Sequence, residues 1–377
     1  MTQAIELGGF RPVAPVVLAP MAGVTNAPFR AMCRRFGPGL VYVNEMVMAN
    51  AVVHRNAKTE RMMTFAADEH PRSLQVYGSD PTVLAEAIAR ICGEGMVDHV
   101  DMNFGCPAAK VTRKGGGAAV PAKPNLLRAI VRAAVTAASP YGVPITAKFR
   151  KGIDDSLLTY IHTGRIAAEE GVAAIALHAR TAEQHYAGTA DWNAIGELKA
   201  AVPEIPVLGN GDIWEASDAA DMMRVTGCDG VVVGRGCLGR PWLFGQLIDA
   251  LHGRPVAAAP PLGDVARVMA EHARLLVGHL GAEVAVRDFR KHTAWYLTGY
   301  PVGGETRRRF AEVSTLSELD DLLADLDPAL TLVPGGERIR RGHTNGPIKV
   351  ALPPGYLDHL DDLTVPDDAG VMALSGG

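Results

Sequence analysis

Pro206-Val207-Leu208-Gly209-Asn210-Gly211-Asp212 and, one helical segment later, Gly230-Val231-Val232-Val233-Gly234-Arg235-Gly236 share one form: a short apolar run that ends in glycine beside a polar residue. Each reads as a buried strand delivered to a turn whose backbone N–H groups are open to an anion. Working outward, the same unit recurs. Val16–Ala19, Leu40–Asn44, Ser73–Val76, His99–Met102, Pro144–Lys148 and Ala174–His178, with Pro206–Gly209 and Gly230–Val233, make eight such runs. Ala-rich stretches such as Leu84–Cys92 and Leu126–Ala138, apolar at three-to-four spacing, lie between them. Strand–helix alternation implies parallel strands with right-handed crossovers, and eight units in roughly 230 residues is the length of a closed (β/α)8 TIM barrel. An open doubly wound sheet would permit the same alternation. The barrel is favoured by what stands at the carboxyl ends: Pro20-Met21, Glu45, Gln75, Asn103, Lys148, His178, Asn210 and Gly234, which a barrel gathers at one mouth.

The chain has 377 residues, enough for one domain of about 200–250 residues and a smaller companion. The barrel is expected over 1–250, with a linker where the composition shifts around Leu247–Leu262. Asp264–His279, Val284–Leu297, Glu305–Val313 and Leu316–Leu326 read as four amphipathic helices, a small C-terminal helical bundle over 262–327, with Ser314-Thr315 and Ser317 as caps. The Gly/Pro-rich stretch 334–377 is expected to be partly disordered or draped on the surface.

Composition is that of an ordinary globular protein, with 48% hydrophobic and 21% charged residues. A formal net charge of −4 gives no global pull toward nucleic acid, so an RNA partner would need a local basic face. The cysteines Cys33, Cys92, Cys106, Cys228 and Cys237 form no CxxC pair and no zinc spacing, so no metal site and a reducing, cytoplasmic setting are expected. Met1 to Phe10 lacks the pattern of a signal peptide, and no apolar run approaches the ~20 residues of a membrane span. Oligomeric state is not legible.

Two Gly-rich turns on adjacent strands, at the same end, point to phosphate binding, with Arg235 able to add a charge-assisted bond. Phosphate alone does not name a cofactor. Lys148 can hold negative charge over the middle of the mouth, as on the pyrimidine edge of a reduced flavin, and the Gln75 amide can bond the same edge. Four of the cysteines read as inert core residues, whereas Cys106 lies past a strand end between Gly105 and Pro107. A loop ending Arg113-Lys114-Gly115-Gly116-Gly117 follows, with glycines that would let it open and close. A thiol of unshifted pKa, ~8.5, is protonated at neutral pH and can act as an acid.

Taken together, Ala19-Pro20-Met21-Ala22-Gly23-Val24-Thr25, Gln75-Val76-Tyr77-Gly78, Met102-Asn103-Phe104-Gly105-Cys106-Pro107, Lys148-Phe149-Arg150, His178-Ala179-Arg180-Thr181, Asn210-Gly211-Asp212 and Gly234-Arg235-Gly236 resemble the tRNA-dihydrouridine synthases. Arg290-Lys291-His292 with Trp295-Tyr296 is similar to the helical domain of the bacterial B-type branch. The resemblance covers about Phe10 to Leu326. It implies FMN held by Pro20, Met21 and Ala22, by Gln75, Lys148 and His178, and at its phosphate by Asn210, Gly211, Asp212, Gly234 and Arg235. It implies NADPH as hydride donor and Cys106 as proton donor to uracil. Asn103, Arg150 and Arg180 are implied to line the flavin and the base. Candidate tRNA contacts are Arg113, Lys114, Arg287, Arg290 and Lys291, with Arg307–Arg309 beside them. Two rivals stand beside this reading: a flavin barrel acting on a free pyrimidine, of the dihydroorotate dehydrogenase kind, and a non-catalytic RNA-binding barrel. Removal of the residues after 250 would discriminate the first.

Overall fold

The computed structural model describes residues 5–365. Eight parallel strands close into a barrel in sequence order: β1 (Val16–Leu18), β2 (Val41–Met48), β3 (Ser73–Tyr77), β4 (His99–Phe104), β5 (Ile145–Arg150), β6 (Ala174–His178), β7 (Val207–Asn210) and β8 (Gly230–Val233). β1 closes the ring on β8 through Val16↔Val231, Val17↔Val232 and Leu18↔Val233. Side-chain alternation sorts each strand into two faces. Val16, Leu18, Leu74, Val76, Val100, Met102, Ile175, Leu177, Val231 and Val233 pack outward into the main core with the surrounding helices. Val17, Val41, Val43, Ala174, Ala176, Leu208 and Val232 form a separate inner cluster, joined by Ile5 and Leu7 of the N-terminal segment. The first residues, 1–4, lie outside the described residues.

The strand expected to end at Asn44 runs on to Met48. Its register against β3 slips between Val43 and Met46, so Glu45 sits on a bulge inside the strand and not beyond its end. Asn103 is the penultimate residue of β4, and Lys148 and Arg150 lie among the last three residues of β5.

Four helices follow the barrel, Leu262–Leu280, Ala282–Leu297, Gly304–Glu312 and Leu316–Ala324. The first starts directly after Pro260-Pro261, where a missing N–H costs nothing. Thr315 caps the last, its Oγ1 accepting from the Glu318 N–H while the Glu318 carboxylate accepts from the Thr315 N–H. Their shared core, built on Leu262, Met269, Phe289, Tyr296, Phe310 and Leu319, takes in Met32 and Trp242 from the barrel's own helical layer. Among the described residues no helix is long and apolar enough to cross a membrane.

Residues 334–365 run back over the carboxyl-terminal end of the barrel. Arg341, 2% exposed, seats the start of this segment by donating to the carbonyls of Trp295, Thr298, Gly336, Glu337 and Ile339. The remainder of the stretch, 366–377, lies outside the described residues.

Candidate active site

Cross-strand register carries the predicted residues around one rim. Asn103 pairs with Lys148, Arg150 with His178, His178 with Asn210, and Asn210 with Val232. The side chains at this rim are tied to the barrel interior by one continuous polar chain. Asp101, buried between β3 and β5, accepts from Gln75 Nε2 and Thr146 Oγ1, each at 2.6 Å. A carboxylate only accepts, so the Gln75 amide is oriented with Oε1 away from it, toward Asn103 Nδ2 at 2.8 Å. That in turn aims Asn103 Oδ1 at the backbone N–H groups of Gly105 and Cys106, at 3.0 and 2.9 Å. Below, Thr146 spends its proton on Asp101 and accepts from His99 Nε2 at 2.9 Å, so His99 Nδ1 accepts from Ser73 Oγ at 2.6 Å. Burial holds His99 neutral, its pKa pushed down to about 4. Sequence reading missed Asp101, Thr146 and His99. A carboxylate between Val100 and Met102, at an inward strand position, was the signal available.

Lys148 has no hydrogen-bond or ion-pair partner among the described residues; burial, aided by Arg150, lowers its pKa to about 8. His178 is driven well below its ordinary pKa, first by burial and then by Arg150, Lys148, Arg180 and Arg235, so its ring is neutral. Arg150 braces two loops: Nε donates to Gly105 O at 3.0 Å, and Nη1 to Thr181 O and His185 O at 2.9 and 2.8 Å.

At the late turns, Gly211 takes φ +133° and Asp212 φ +56°. A Cβ on Gly211 would lie 2.6 Å from Ala190, so only glycine fits the turn. The Asp212 carboxylate accepts two bonds from Arg180, at 2.9 and 2.8 Å, and one from the Ala190 N–H at 2.7 Å. That carboxylate therefore serves the arginine, and only the backbone of this turn is left for an anion. Asn210 is likewise turned to the next strand, donating to Val232 O at 2.7 Å. Arg180 is fully buried, and its Nη1 has no hydrogen-bond partner among the described residues, 3.8 Å from where a Gly211 Cβ would stand. A desolvated guanidinium N–H beside a glycine turn is suited to donate to a negative oxygen. Gly234 leaves open space on the same side, bounded by Ala19 and Met21 Sδ at 3.6 and 3.9 Å from a built Cβ. Arg235 stands beside this turn, its Nη2 3.5 Å from Asp212 Oδ1. Its guanidinium lies between the rings of Tyr186 (4.5 Å) and Trp214 (5.2 Å), and Nη1 donates to His343 O at 2.9 Å.

The first loop, carrying Pro20, Met21 and Ala22, is fastened from behind. Buried Arg30 bonds Glu69 at 2.5 and 3.1 Å and the Thr25 carbonyl at 2.8 Å. Gly23 donates to Glu45 at 2.7 Å and accepts from Lys291 Nζ at 2.7 Å.

Of the five cysteines, four are buried and Cys106 alone is part-exposed. Burial raises its pKa, against smaller opposing effects of the Ala108 N–H, Arg150 and Lys110, so the thiol keeps its proton at neutral pH. The loop after it is not the open hinge its glycines suggested. It folds into a short helix (Ala109–Thr112) and a 3-10 turn (Gly117–Ala122) that is buried throughout. Gly117, at φ +55°, allows the turn to press on Cys106: a Cβ there would meet Cys106 O at 2.7 Å.

The basic residues proposed for RNA divide into two groups. Arg290 bonds the carbonyls of Val313 and Glu312, Lys291 bonds Gly23 and Asp288, and Arg307 bonds Leu297 and Tyr300, so these three join the helices to one another and to the barrel. Arg113 is exposed and Lys114 half-buried on the Cys106 loop. Arg287 is exposed beside Glu283, and Arg308 and Arg309 pair with Glu305 and Asp325 at the surface.

A family model described as dihydrouridine synthase (Dus) matches residues 17–331. A Mycobacterium tuberculosis H37Rv protein named "Probable tRNA-dihydrouridine synthase" is 52% identical over 379 residues, covering 99% of this chain and 97% of that one. The Mycobacterium leprae protein of the same name is 53% identical over 385 residues, covering 96% and 100%. "tRNA-dihydrouridine synthase B" of Pseudomonas putida KT2440 is 38% identical over 307 residues, covering 81% and 89%. With a closed barrel, this rim and these likenesses over most of its length, the chain belongs to the dihydrouridine synthase family.

Proposed function

We propose that this protein reduces uridine to 5,6-dihydrouridine in tRNA, with FMN as resident cofactor, NADPH as hydride source and Cys106 as proton donor. The observation that carries the reading is a protonated Cys106 thiol on the same rim as the Lys148 ammonium and Arg180 Nη1, both without a partner among the described residues. The names of the relatives support tRNA over a free pyrimidine as substrate.

FMN, when bound, supplies a two-electron relay between NADPH and carbon 6 of uracil. The residues present fit it. Backbone N–H groups of the Gly211 and Gly234 turns with Arg180 Nη1 would take the phosphate, Pro20, Met21 and Ala22 would wall one side, and Lys148 would face the electron-rich pyrimidine edge. Gln75 retains one N–H and one lone pair beyond its bonds to Asp101 and Asn103. Neutral His178 adds no second charge there. Cys106 holds a proton at Sγ and delivers it to carbon 5, while Asn103 and Arg150 keep its backbone in place. A uridine must leave its stack to reach this depth, at a cost of a few kcal/mol. Exposed Arg113 and Arg287, with half-buried Lys114, are cations suited to phosphate contacts that offset it.

The test is incubation of the purified protein with NADPH and unmodified tRNA, followed by nucleoside analysis. Dihydrouridine together with a yellow, releasable cofactor is expected; a colourless preparation that leaves uridine intact refutes the proposal. Lys148→Ala is expected to slow reduction of the cofactor by NADPH by about 10²–10³-fold, the scale of losing one electrostatic contact to developing charge. Stopped-flow absorbance reads it, and an unchanged rate contradicts the role.

A further inference from the structure

The family match ends at residue 331, yet the chain continues as an ordered strap across the mouth. Arg338 pairs with Glu215 and Asp218 at the start of the helix after β7, at 2.7 and 2.9 Å. His343 accepts from Arg235 after β8 and lies against the Tyr186 ring, with centroids 6.3 Å apart and planes at 20°. Asn345 O and the Ile348 N–H then bond Tyr186 and Glu183 of the loop after β6, at 3.1 and 2.8 Å. Finally Tyr356 plugs the loop after β4. Its ring, 4% exposed, completes a small apolar cluster with Ala119, Ala122 and Ile153 that is separate from the main core. Its hydroxyl shares a proton between Gly115 O at 3.4 Å and Ala119 O at 3.3 Å. The Lys123 ammonium stands 4.7 Å over the ring and pairs with Asp362, and Asn125 donates to Asp361 O at 3.0 Å.

The clamped loop is the one that carries Cys106. The Ala118 N–H donates to Cys106 O at 3.0 Å, and Gly117 presses on the same carbonyl. Gly115, Gly116 and Gly117 give this stretch more backbone freedom than any other residue type would. What holds a glycine run in one conformation must therefore come from outside it, and the Tyr356 hydroxyl reaches the carbonyl of its first glycine and that of Ala119 just beyond it. We infer that the strap is a working wall of the mouth and that Tyr356 is a positioning residue, fixing the loop from which Cys106 presents its thiol. The inference rests on the proposed role of Cys106.

The test compares Tyr356→Ala and Tyr356→Phe with the parent in the full-length holoenzyme. Alkylation of Cys106 by iodoacetamide, located by peptide mass spectrometry, reads loop position without turnover, and the four buried cysteines serve as internal controls. Tyr356→Ala is expected to raise the Cys106 alkylation rate about tenfold and to lower kcat for dihydrouridine formation about 10–100-fold, the scale of an ångström-level misplacement. Reduction of the cofactor by NADPH should stay within about twofold, since none of its proposed contacts lies on this loop. Tyr356→Phe keeps the ring in its cluster and should recover most of both losses, with faster hydrogen exchange confined to 115–120. Parent-like alkylation and kcat in Tyr356→Ala overturn the inference, as does an equal fall in both half-reactions. If the alanine variant does not fold, unchanged exchange at 115–120 in Tyr356→Phe overturns it. A parent enzyme that makes no dihydrouridine refutes the function, and alkylation with exchange still decides whether Tyr356 holds the loop.

Discussion

Cys106→Ala is expected to lower dihydrouridine formation by about 10²–10⁴-fold, the range contributed by a positioned general acid. The substitution removes Sγ alone. The Cys106 N–H would still be held by Asn103 and its carbonyl by Ala118, so loop and rim keep their geometry. None of the groups proposed to bind the cofactor touches the sulfur, and its reduction by NADPH should therefore proceed at the parent rate. Separate measurement of the two half-reactions checks this: reduction by absorbance, uridine turnover by nucleoside analysis. Equal uridine turnover in the variant removes the proton donor from the proposal. The raised thiol pKa adds a signature, since the parent should hold its rate through neutral pH and lose it only where the thiol ionises, above the ordinary range for cysteine.

The second large effect concerns stability in acid. His99 and His272 are buried, with pKa values pushed down by burial to about 4 and about 3, and His292 is driven well down by burial and by its neighbour His272. The unfolded chain takes up protons near pH ~6.5 while these native rings resist. Their neutral burial thus favours the native state fully above that pH, and the advantage is lost as the pH falls toward the folded values. Between pH 7 and 5 His99 and His272 are each expected to cost about 2 kcal/mol, since a unit of differential pKa is worth ~1.4 kcal/mol, and His292 acts in the same direction. Asp101 and Glu45, whose carboxyls burial raises, work in the opposite sense and reduce the net loss. Urea midpoints at pH 7 and 5 measure it. His272 contacts His292 and Tyr296 in the apolar seam, so His272→Phe should flatten the dependence; an identical slope in that variant refutes the assignment.

The barrel was legible because its evidence is periodic and local. β6 and β8 begin and end where their apolar runs do. β2 overran its predicted end because a bulge interrupts alternation without interrupting pairing, and bulges have no composition of their own. Rim residues could be placed at the mouth because strand ends place them. What each side chain does there was less legible, since it depends on a partner distant in sequence. The Asp212 carboxylate holds Arg180, a partner distant in sequence that the turn itself does not show. The rings of Tyr186 and Trp214 that hold the Arg235 guanidinium could not be read from its own turn. Arg290 and Lys291 read as surface charge because a helix pattern cannot show that a carbonyl such as Gly23 O waits opposite. The strap 334–365 has no periodicity at all, and its order comes from single anchors, Arg341 and Tyr356, that only the assembled fold reveals.

Met32 and Trp242, placed in the same apolar mass as Phe289 and Phe310, carry a last consequence. A chain severed near Leu251 would leave that seam wet on both fragments, an exposed greasy scar of the sort that drives precipitation. Barrel and helices thus melt and form together, and dissecting their duties calls for point changes rather than scissors.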